Sequence, residues 1–268
     1  MTENNWIKVN GILYPGVKQE TQSSNIVVVL FPGFSLPMSD RDYFMSRIAK
    51  EIKDFATVYQ FDIRGHGDSN VDIERLTVSM IREDYTNILN WLREKTNNKI
   101  YCIGRGIAPI LFMEAAKTSQ CVVDGVIGLN SYMIAPKYLK KLFKQIKEKE
   151  YYVSLEEFEN NTVFKSMLRA MGTDLEYIMA EKLPREFFVQ LEKLKPDDIF
   201  QNFNNKKILI YPMNDKNYTP DIIKGEEINI YQKIDWREDA MLPFNSFWQS
   251  NVINLIKNIL WTWSKEND

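Results

Sequence analysis

The sequence is poor in the side chains that most often carry catalytic or metal chemistry. Its 268 residues include one histidine, His66, and two cysteines, Cys102 and Cys121. Structural zinc usually takes four histidine or cysteine ligands, so this supply argues against a zinc site. Both cysteines lie in apolar, strand-like stretches, where a buried reduced thiol is the usual state. We expect no disulfide, no metal and no cofactor.

An excess of one charge and a long apolar run are lacking too. The chain has 34 Lys and Arg against 36 Asp and Glu, and this balance favours no nucleic-acid surface. No stretch approaches the roughly 18 uninterrupted apolar residues of a membrane span. The first residues, MTENNWIKVNG, show no basic segment followed by an apolar run. We expect a cytoplasmic protein with no membrane span and no nucleic-acid partner.

What the sequence does contain is an alternation of strand and helix patterns. A hairpin is indicated at 6–17, where two short apolar runs flank Asn10-Gly11. Further along, β-branched runs alternate with stretches that place apolar residues at helical spacing. Strand patterns open or fill the segments 25–34, 57–69, 100–116 and 121–130, and helical patterns occupy 40–52 and 79–95. This order predicts a parallel sheet covered by helices on both faces.

The alternation stops after Asn130. Residues 132–205 are rich in Lys, Glu, Leu, Phe and Met and form several helical patterns, and the strand patterns return from residue 206 onward. A chain of this length can bury one large core. We therefore expect an α/β core domain made of residues 1–131 and 206–268, with residues 132–205 inserted as a helical cap.

Four segments, in this order, carry a resemblance to a known family. They are "VVVLFPGF", "YQFDIRGHGDS", "YCIGRGIAP" and "ILIYPMNDKNYTP", and the helical insertion follows the strand that ends at Asn130. Together they resemble the α/β-hydrolase superfamily over nearly the whole chain, and "DIRGHGDS" is the most specific piece. The resemblance implies an eight-stranded, mostly parallel sheet with helices on both faces, a helical cap, and a site at the carboxyl ends of the strands.

The turn that should present the catalytic serine lacks it. The family pattern is Gly-x-Ser-x-Gly, and Gly104-Arg105-Gly106-Ile107-Ala108 occupies that place, so Gly106 stands where the serine is expected. The central residue of this turn, the nucleophile elbow, has an unfavourable φ that glycine adopts at little cost. The sequence therefore predicts that the turn is kept without its nucleophile.

The histidine of a serine triad is missing as well. The resemblance places it in the loop 233–244, which contains none, and Asp235 or Trp236 stands roughly at its position. We expect His66 to be a structural residue of its loop. Asp215 matches the family's triad acid, and it is equally well explained as a turn residue beside Asn214.

The oxyanion-binding half of the family's site does not depend on side chains. The resemblance assigns it to the backbone N–H groups of Ile107 and Phe34, at the positive end of the helix that begins near Ile107. We expect Phe34, Arg105, Gly106 and Ile107 to form a ligand-binding site. Arg105 has two alternatives: it turns toward the pocket, or it packs beside the sheet and pairs with a carboxylate.

The apolar residues of the cap bear on what this site could hold. We expect them to face inward and roof a cavity above Gly106, because Phe, Met and Leu recur at helical spacing beside a Lys- and Glu-rich face. They are Phe143, Phe164, Met167, Leu168, Met171, Phe187 and Phe188. In the alternative, the same side chains fill the space and leave no cavity.

Two classes of function follow. The first is a non-catalytic pseudo-hydrolase that binds a small acyl-type or anionic ligand, or a protein partner, under its cap. The alternative is a hydrolase, thioesterase or acyltransferase-like enzyme with a non-standard mechanism, in which the substrate or a partner supplies the missing group. The loss of both serine and histidine favours the first class, because together they form the proton relay.

Overall fold

A central sheet organises the molecule. The computed structural model describes residues 2–9, 11–20, 24–119, 121–134, 136–212, 231–234 and 246–266. The strands are β1 (Thr2–Val9), β2 (Ile12–Gln19), β3 (Ile26–Phe31), β4 (Thr57–Phe61), β5 (Lys99–Arg105), β6 (Gly125–Leu129), β7 (Tyr152–Ser154), β8 (Lys182–Pro184), β9 (Lys206–Pro212) and β10 (Tyr231–Ile234). Within the described ranges, eight of them form one sheet in the order β1-β2-β4-β3-β5-β6-β9-β10. Among the pairs of this sheet, only β1–β2 and β2–β4 are antiparallel.

Helices cover this sheet. They are α1 (Phe44–Ile52), α2 (Val78–Lys95), α3 (Ala108–Thr118), α4 (Lys140–Lys147), α5 (Thr162–Ala170), α6 (Arg185–Lys193), α7 (Pro196–Gln201) and α8 (Ser246–Lys265). Strand β3 is buried along its whole length, and its alternate residues belong to two separate hydrophobic clusters. One cluster includes side chains of α1 and α8, and the other includes α2, α3 and the residues after β6. No helix of the described part of the chain is long and apolar enough to cross a bilayer.

The hairpin predicted around Asn10-Gly11 is present. Val9 pairs with Ile12 in an antiparallel register, so two residues connect β1 and β2. Gly11 has a φ of +86°, as the tight turns that join adjacent strands often require. The hairpin adds the antiparallel edge to an otherwise parallel sheet.

The chain between β6 and β9 forms a layer that we call the cap. It contains α4 to α7 and a two-stranded antiparallel sheet, β7–β8, which the helical periodicity did not predict. Strands of three residues are too short for a period of two to stand out. The seven apolar residues expected on the inner face of the cap are all buried, and they share one cluster with β3, α2 and α3.

Candidate functional site at the strand-to-helix turn

The predicted elbow joins β5 to α3. Strand β5 ends at Arg105, α3 begins at Ala108 with a proline in its first turn, and Gly106 between them has a φ of +62°. The Gly106 N–H donates to Leu129 O at 3.0 Å, and the Tyr132 N–H donates to Gly106 O at 2.8 Å. These bonds hold the turn to the end of β6. The elbow therefore keeps its geometry with no side chain at its apex.

A segment of the cap, Met171-Gly172-Thr173-Asp174, lies on this elbow, and we call it the strap. It begins where α5 ends in a Schellman motif: the Gly172 N–H donates to Arg169 O at 2.9 Å, and the Thr173 N–H donates to Leu168 O at 3.1 Å. Gly172 has the positive φ, +87°, that this motif requires. The motif leaves the Met171 carbonyl free to accept hydrogen bonds from outside its own helix.

The Met171 carbonyl oxygen accepts from both amides that were predicted to form the oxyanion pair. The Phe34 N–H donates to it at 3.0 Å, and the Ile107 N–H donates to it at 3.3 Å. The negative C-terminal end of α5 thereby meets the positive N-terminal end of α3, which is a favourable arrangement of helix dipoles. The structure therefore brings Phe34, Gly106 and Ile107 together around an oxygen of the protein itself.

Three glycines make this close approach possible. A Cβ atom on Gly106 would overlap the carbonyl group of Met171 and the nitrogen of Gly172, and a Cβ atom on Gly33 would overlap Gly172 O. A Cβ atom on Gly172 would lie 2.9 Å from the Cα of Gly33. The space directly above Gly106, where a cavity was expected, is filled by the Met171–Gly172 peptide. The expected cavity is therefore not found at this point, and backbone atoms of the cap occupy the space rather than the side chains named in the alternative.

Arg105 takes the second of its two predicted orientations. Its guanidinium is buried and forms an ion pair with the buried carboxylate of Asp40. Asp40 also accepts from the Gly33 N–H at 3.2 Å and from the Arg41 N–H at 2.5 Å. Burial raises the pKa of Asp40, and the Arg105 cation and these two N–H groups act in the opposite direction. Arg105 thus anchors the loop that carries Phe34.

His66 lies beside the site without entering it. Its ring is perpendicular to the Phe34 ring, with centroids 5.9 Å apart, and its Nδ1 lies 3.0 Å from Arg64 O. Because a carbonyl can only accept, Nδ1 carries the proton. Burial lowers the pKa of His66 to about 4, so the ring is neutral near pH 7. These contacts agree with the structural role predicted for this residue.

The remaining residues singled out in the sequence are the other triad candidates and the two cysteines. Asp215, Asp235 and Trp236 lie outside the described residues. Cys102 and Cys121 are free and buried, as predicted, and burial raises the pKa of both thiols. In the described ranges, no group of three or more His, Cys, Asp or Glu could hold a metal ion.

The strap is the part of the site that sequence reasoning missed. A signal for it exists, because Gly172 follows the helical pattern of α5 at the position where glycine commonly ends a helix. That signal predicts where the helix stops and gives no information about which surface the freed carbonyl meets. Met171 was expected to contribute its apolar side chain to the cap, whereas its backbone oxygen makes the contact with the elbow.

Solved structures of other proteins show which fold this is. No family model matches the sequence, and none of the curated proteins matches it either. Est1E from Butyrivibrio proteoclasticus, bound to ferulic acid, superimposes with a TM-score of 0.69 at 12% identity, over 98% of this chain and 100% of that one. The α/β hydrolase GrgF from Penicillium sp. sh18 has a TM-score of 0.68 at 14% identity, over 99% and 98%. A lipase in its open form has a TM-score of 0.70 at 10% identity, over 99% and 100%. At these identities the likeness establishes the α/β-hydrolase fold and confirms the predicted fold class.

Proposed function

We propose that this chain, which has the α/β-hydrolase fold, is a non-catalytic protein whose elbow amides hold a carbonyl oxygen and do not activate an ester. One observation supports this most strongly: an oxygen already sits on the Phe34 and Ile107 amides, above a residue without a side chain. In the serine mechanism, such a pair stabilises the oxyanion that forms when the neighbouring hydroxyl attacks. The sequence supplies neither that hydroxyl at position 106 nor a histidine in the loop 233–244.

The missing hydroxyl cannot be restored without conflict. Gly106→Ser places a side chain at a φ of +62° and into the Met171–Gly172 peptide. We expect this variant to lose roughly 3 kcal/mol or more of unfolding free energy, from backbone strain and overpacking together. Because its hydroxyl has no base, we expect no labelling by a fluorophosphonate probe near pH 7.

Gly11→Ser is the matched control. Gly11 also has a positive φ, +86°, but nothing lies within 4 Å of the Cβ atom that a substitution would add. It should therefore lose only the strain of the left-handed backbone, about 1 kcal/mol. Urea unfolding of both variants separates the two costs, and equal losses would contradict the packing argument.

The alternative is an enzyme with a non-standard mechanism, and an assay decides between the two. The native protein and a heat-denatured sample are compared on p-nitrophenyl acetate, p-nitrophenyl butyrate and a short acyl thioester. We expect equal rates. Turnover by the native protein above the denatured sample would overturn the proposal and favour a hydrolase or thioesterase. Labelling of Gly106→Ser by the probe would reveal a base, to be sought first in the loop 233–244 and at Asp215.

A further inference from the structure

We infer that the strap is an intramolecular occupant of the elbow site, and that the external ligand it excludes carries an uncharged, amide-type carbonyl. The inference rests on the proposed function, since it requires the elbow amides to serve binding. Beyond that function, it states which chemical group the elbow site accepts and which segment controls access to the site. Four features of the strap and its surroundings lead to it.

The first feature is the way the strap binds the core. Its Met171 carbonyl occupies both elbow amides, as an external carbonyl would. Two residues later, Thr173 Oγ1 lies 3.5 Å from Ser35 Oγ, and the Asp174 carboxylate lies 3.8 Å from the Arg41 guanidinium. These partners all belong to the loop after β3 or to the elbow. The strap is therefore held at the amides and by two polar contacts beyond them.

The second feature is the dependence of this contact on one residue. Gly172 has a φ of +87°, and an added Cβ atom would lie 2.9 Å from the Cα of Gly33 and 3.1 Å from that of Gly106. Any side chain at 172 must move the strap away from the elbow or strain the backbone. A single methyl group should thus shift the balance from the closed arrangement toward an open one.

The third feature is the balance of charge around the oxygen. Arg105 is paired with Asp40, and Arg41 with Asp174 and Asp42. Once the strap has moved, an entering carboxylate would still find Arg105 neutralised by Asp40 and Arg41 paired with Asp42, and burying an uncompensated charge is costly. An amide carbonyl imposes no such cost, and it is the group that the site holds now. The charge balance therefore favours a neutral carbonyl over an anion.

The fourth feature is the apolar wall beside the amides. The ring of Phe34 packs on Phe187 of the cap with centroids 4.8 Å apart, and both side chains are fully buried. A ligand that enters by displacing the strap meets these rings with its body. We therefore expect the ligand to combine a carbonyl for the two donors with an alkyl chain for the rings, as an aliphatic amide does.

The experiment compares wild type, Gly172→Ala and the control Gly11→Ala, which adds a methyl group at a similar φ in open space. Each protein is mixed with octanamide or with octanoate, and two quantities are measured: hydrogen exchange at the Phe34 and Ile107 amides, and the thermal midpoint. In Gly172→Ala alone, we expect faster exchange at both amides. Octanamide should restore their protection and raise the midpoint of this variant by about 3 °C or more, because only the native state binds it. The shift should be smaller in wild type and in Gly11→Ala, and smaller with octanoate.

Equal responses of all three proteins to octanamide, or no response, would overturn the strap as a competing occupant. A larger effect of octanoate would overturn the preference for an uncharged carbonyl. If Gly172→Ala does not fold, Asp174→Asn replaces it, since it removes the ion pairs of the strap with Arg41 and with Arg169 without a new backbone demand. Hydrolysis of p-nitrophenyl butyrate by any of these proteins would contradict the proposed function and leave the competition between strap and ligand standing.

Discussion

Gly33, Gly106 and Gly172 meet at one point, and each is required there for its own physical reason. Gly106 needs a positive φ to make the elbow, and Gly172 needs one to end α5. Gly33 is required by contact, because a Cβ atom there would overlap Gly172 O. Of the three, the sequence singled out Gly106 alone, because it stands at the serine position of the family's turn. The other two acquire their meaning from the close approach of the cap.

His66 should give this protein a measurable dependence of stability on pH. Its pKa is lowered by burial from 6.5 to about 4. Between these values the unfolded chain binds a proton that the native state does not bind. Stability from this residue is therefore complete above pH 6.5 and falls as the pH is lowered toward 4. The loss is about 3 kcal/mol across the window.

His66→Asn tests this prediction, because its amide can still donate to Arg64 O while it does not titrate. The free energy of unfolding in urea is measured for both proteins from pH 7 to pH 4.5. Asp62, whose pKa is raised by burial to about 6, acts with the opposite sign but is present in both proteins. The advantage of wild type over the variant should shrink as the pH falls. A constant difference would mean that His66 titrates normally in the native state.

Helix α5 connects the cap to the elbow, since the Met171 carbonyl at its C-terminal end lies against the N-terminus of α3. The amphipathic pattern explains why Phe164, Met167 and Leu168 are buried. It does not explain where the helix ends in space, which is at the elbow, with Met171 O accepting from the Phe34 and Ile107 amides. The end of α5, as much as its apolar face, therefore connects cap to core.

Destabilising the N-terminus of α5 should speed hydrogen exchange at the elbow amides. The side chain of Asn161 caps this helix by accepting from the Phe164 N–H at 3.0 Å. Asn161→Ala should cost about 1 kcal/mol and speed hydrogen exchange at the Phe34 and Ile107 amides. Thr77→Ala removes a comparable cap from α2, where Thr77 Oγ1 accepts from the Met80 N–H at 3.2 Å. After correction for global stability, only the first variant should affect the two elbow amides. Equal effects would show that α5 does not hold the strap in place.

For the whole molecule, the cap and the parallel sheet share one hydrophobic cluster. Phe187 and Phe188 of the cap belong to the same buried cluster as Phe31, Phe34 and Phe112 of the core. Elements that bury the same apolar surface lose their stability together. The predicted division, with a core of 1–131 and 206–268 and a cap of 132–205, thus remains a prediction. Because the cap shares this cluster with the core, we do not expect it to fold on its own.

We expect one unfolding transition for both layers. Hydrogen exchange with mass spectrometry is followed at increasing urea, with peptides from α5 and α6 compared to peptides from β3 and α3. Protection should be lost at the same urea concentration in both sets. Earlier loss from the cap peptides would show a separately stable core. Local opening of the strap is a smaller event and should appear only at the elbow amides.

The sequence by itself determined the fold class, the turn at Gly106, and the absence of a serine there and of a histidine in the loop 233–244. Each of these depends on local order: β-branched runs specify strands buried on both faces, Gly106 specifies a turn without a hydroxyl, and the single histidine, at position 66, leaves the loop 233–244 without one. Short-range patterns of this kind are visible in one dimension. The pairing of Arg105 could be stated only as one of two orientations, because its partner Asp40 lies 65 residues away.

Only the tertiary structure decided what occupies the retained amides. Every residue has a backbone carbonyl that could accept from the Phe34 and Ile107 amides, so the sequence does not show which carbonyl does so. The choice of Met171 follows from the length and direction of α5 and from the absence of side chains at Gly33, Gly106 and Gly172. This close packing of backbone on backbone requires three glycines that are distant in sequence to meet in space. A periodic pattern of apolar residues carries no information about such a meeting.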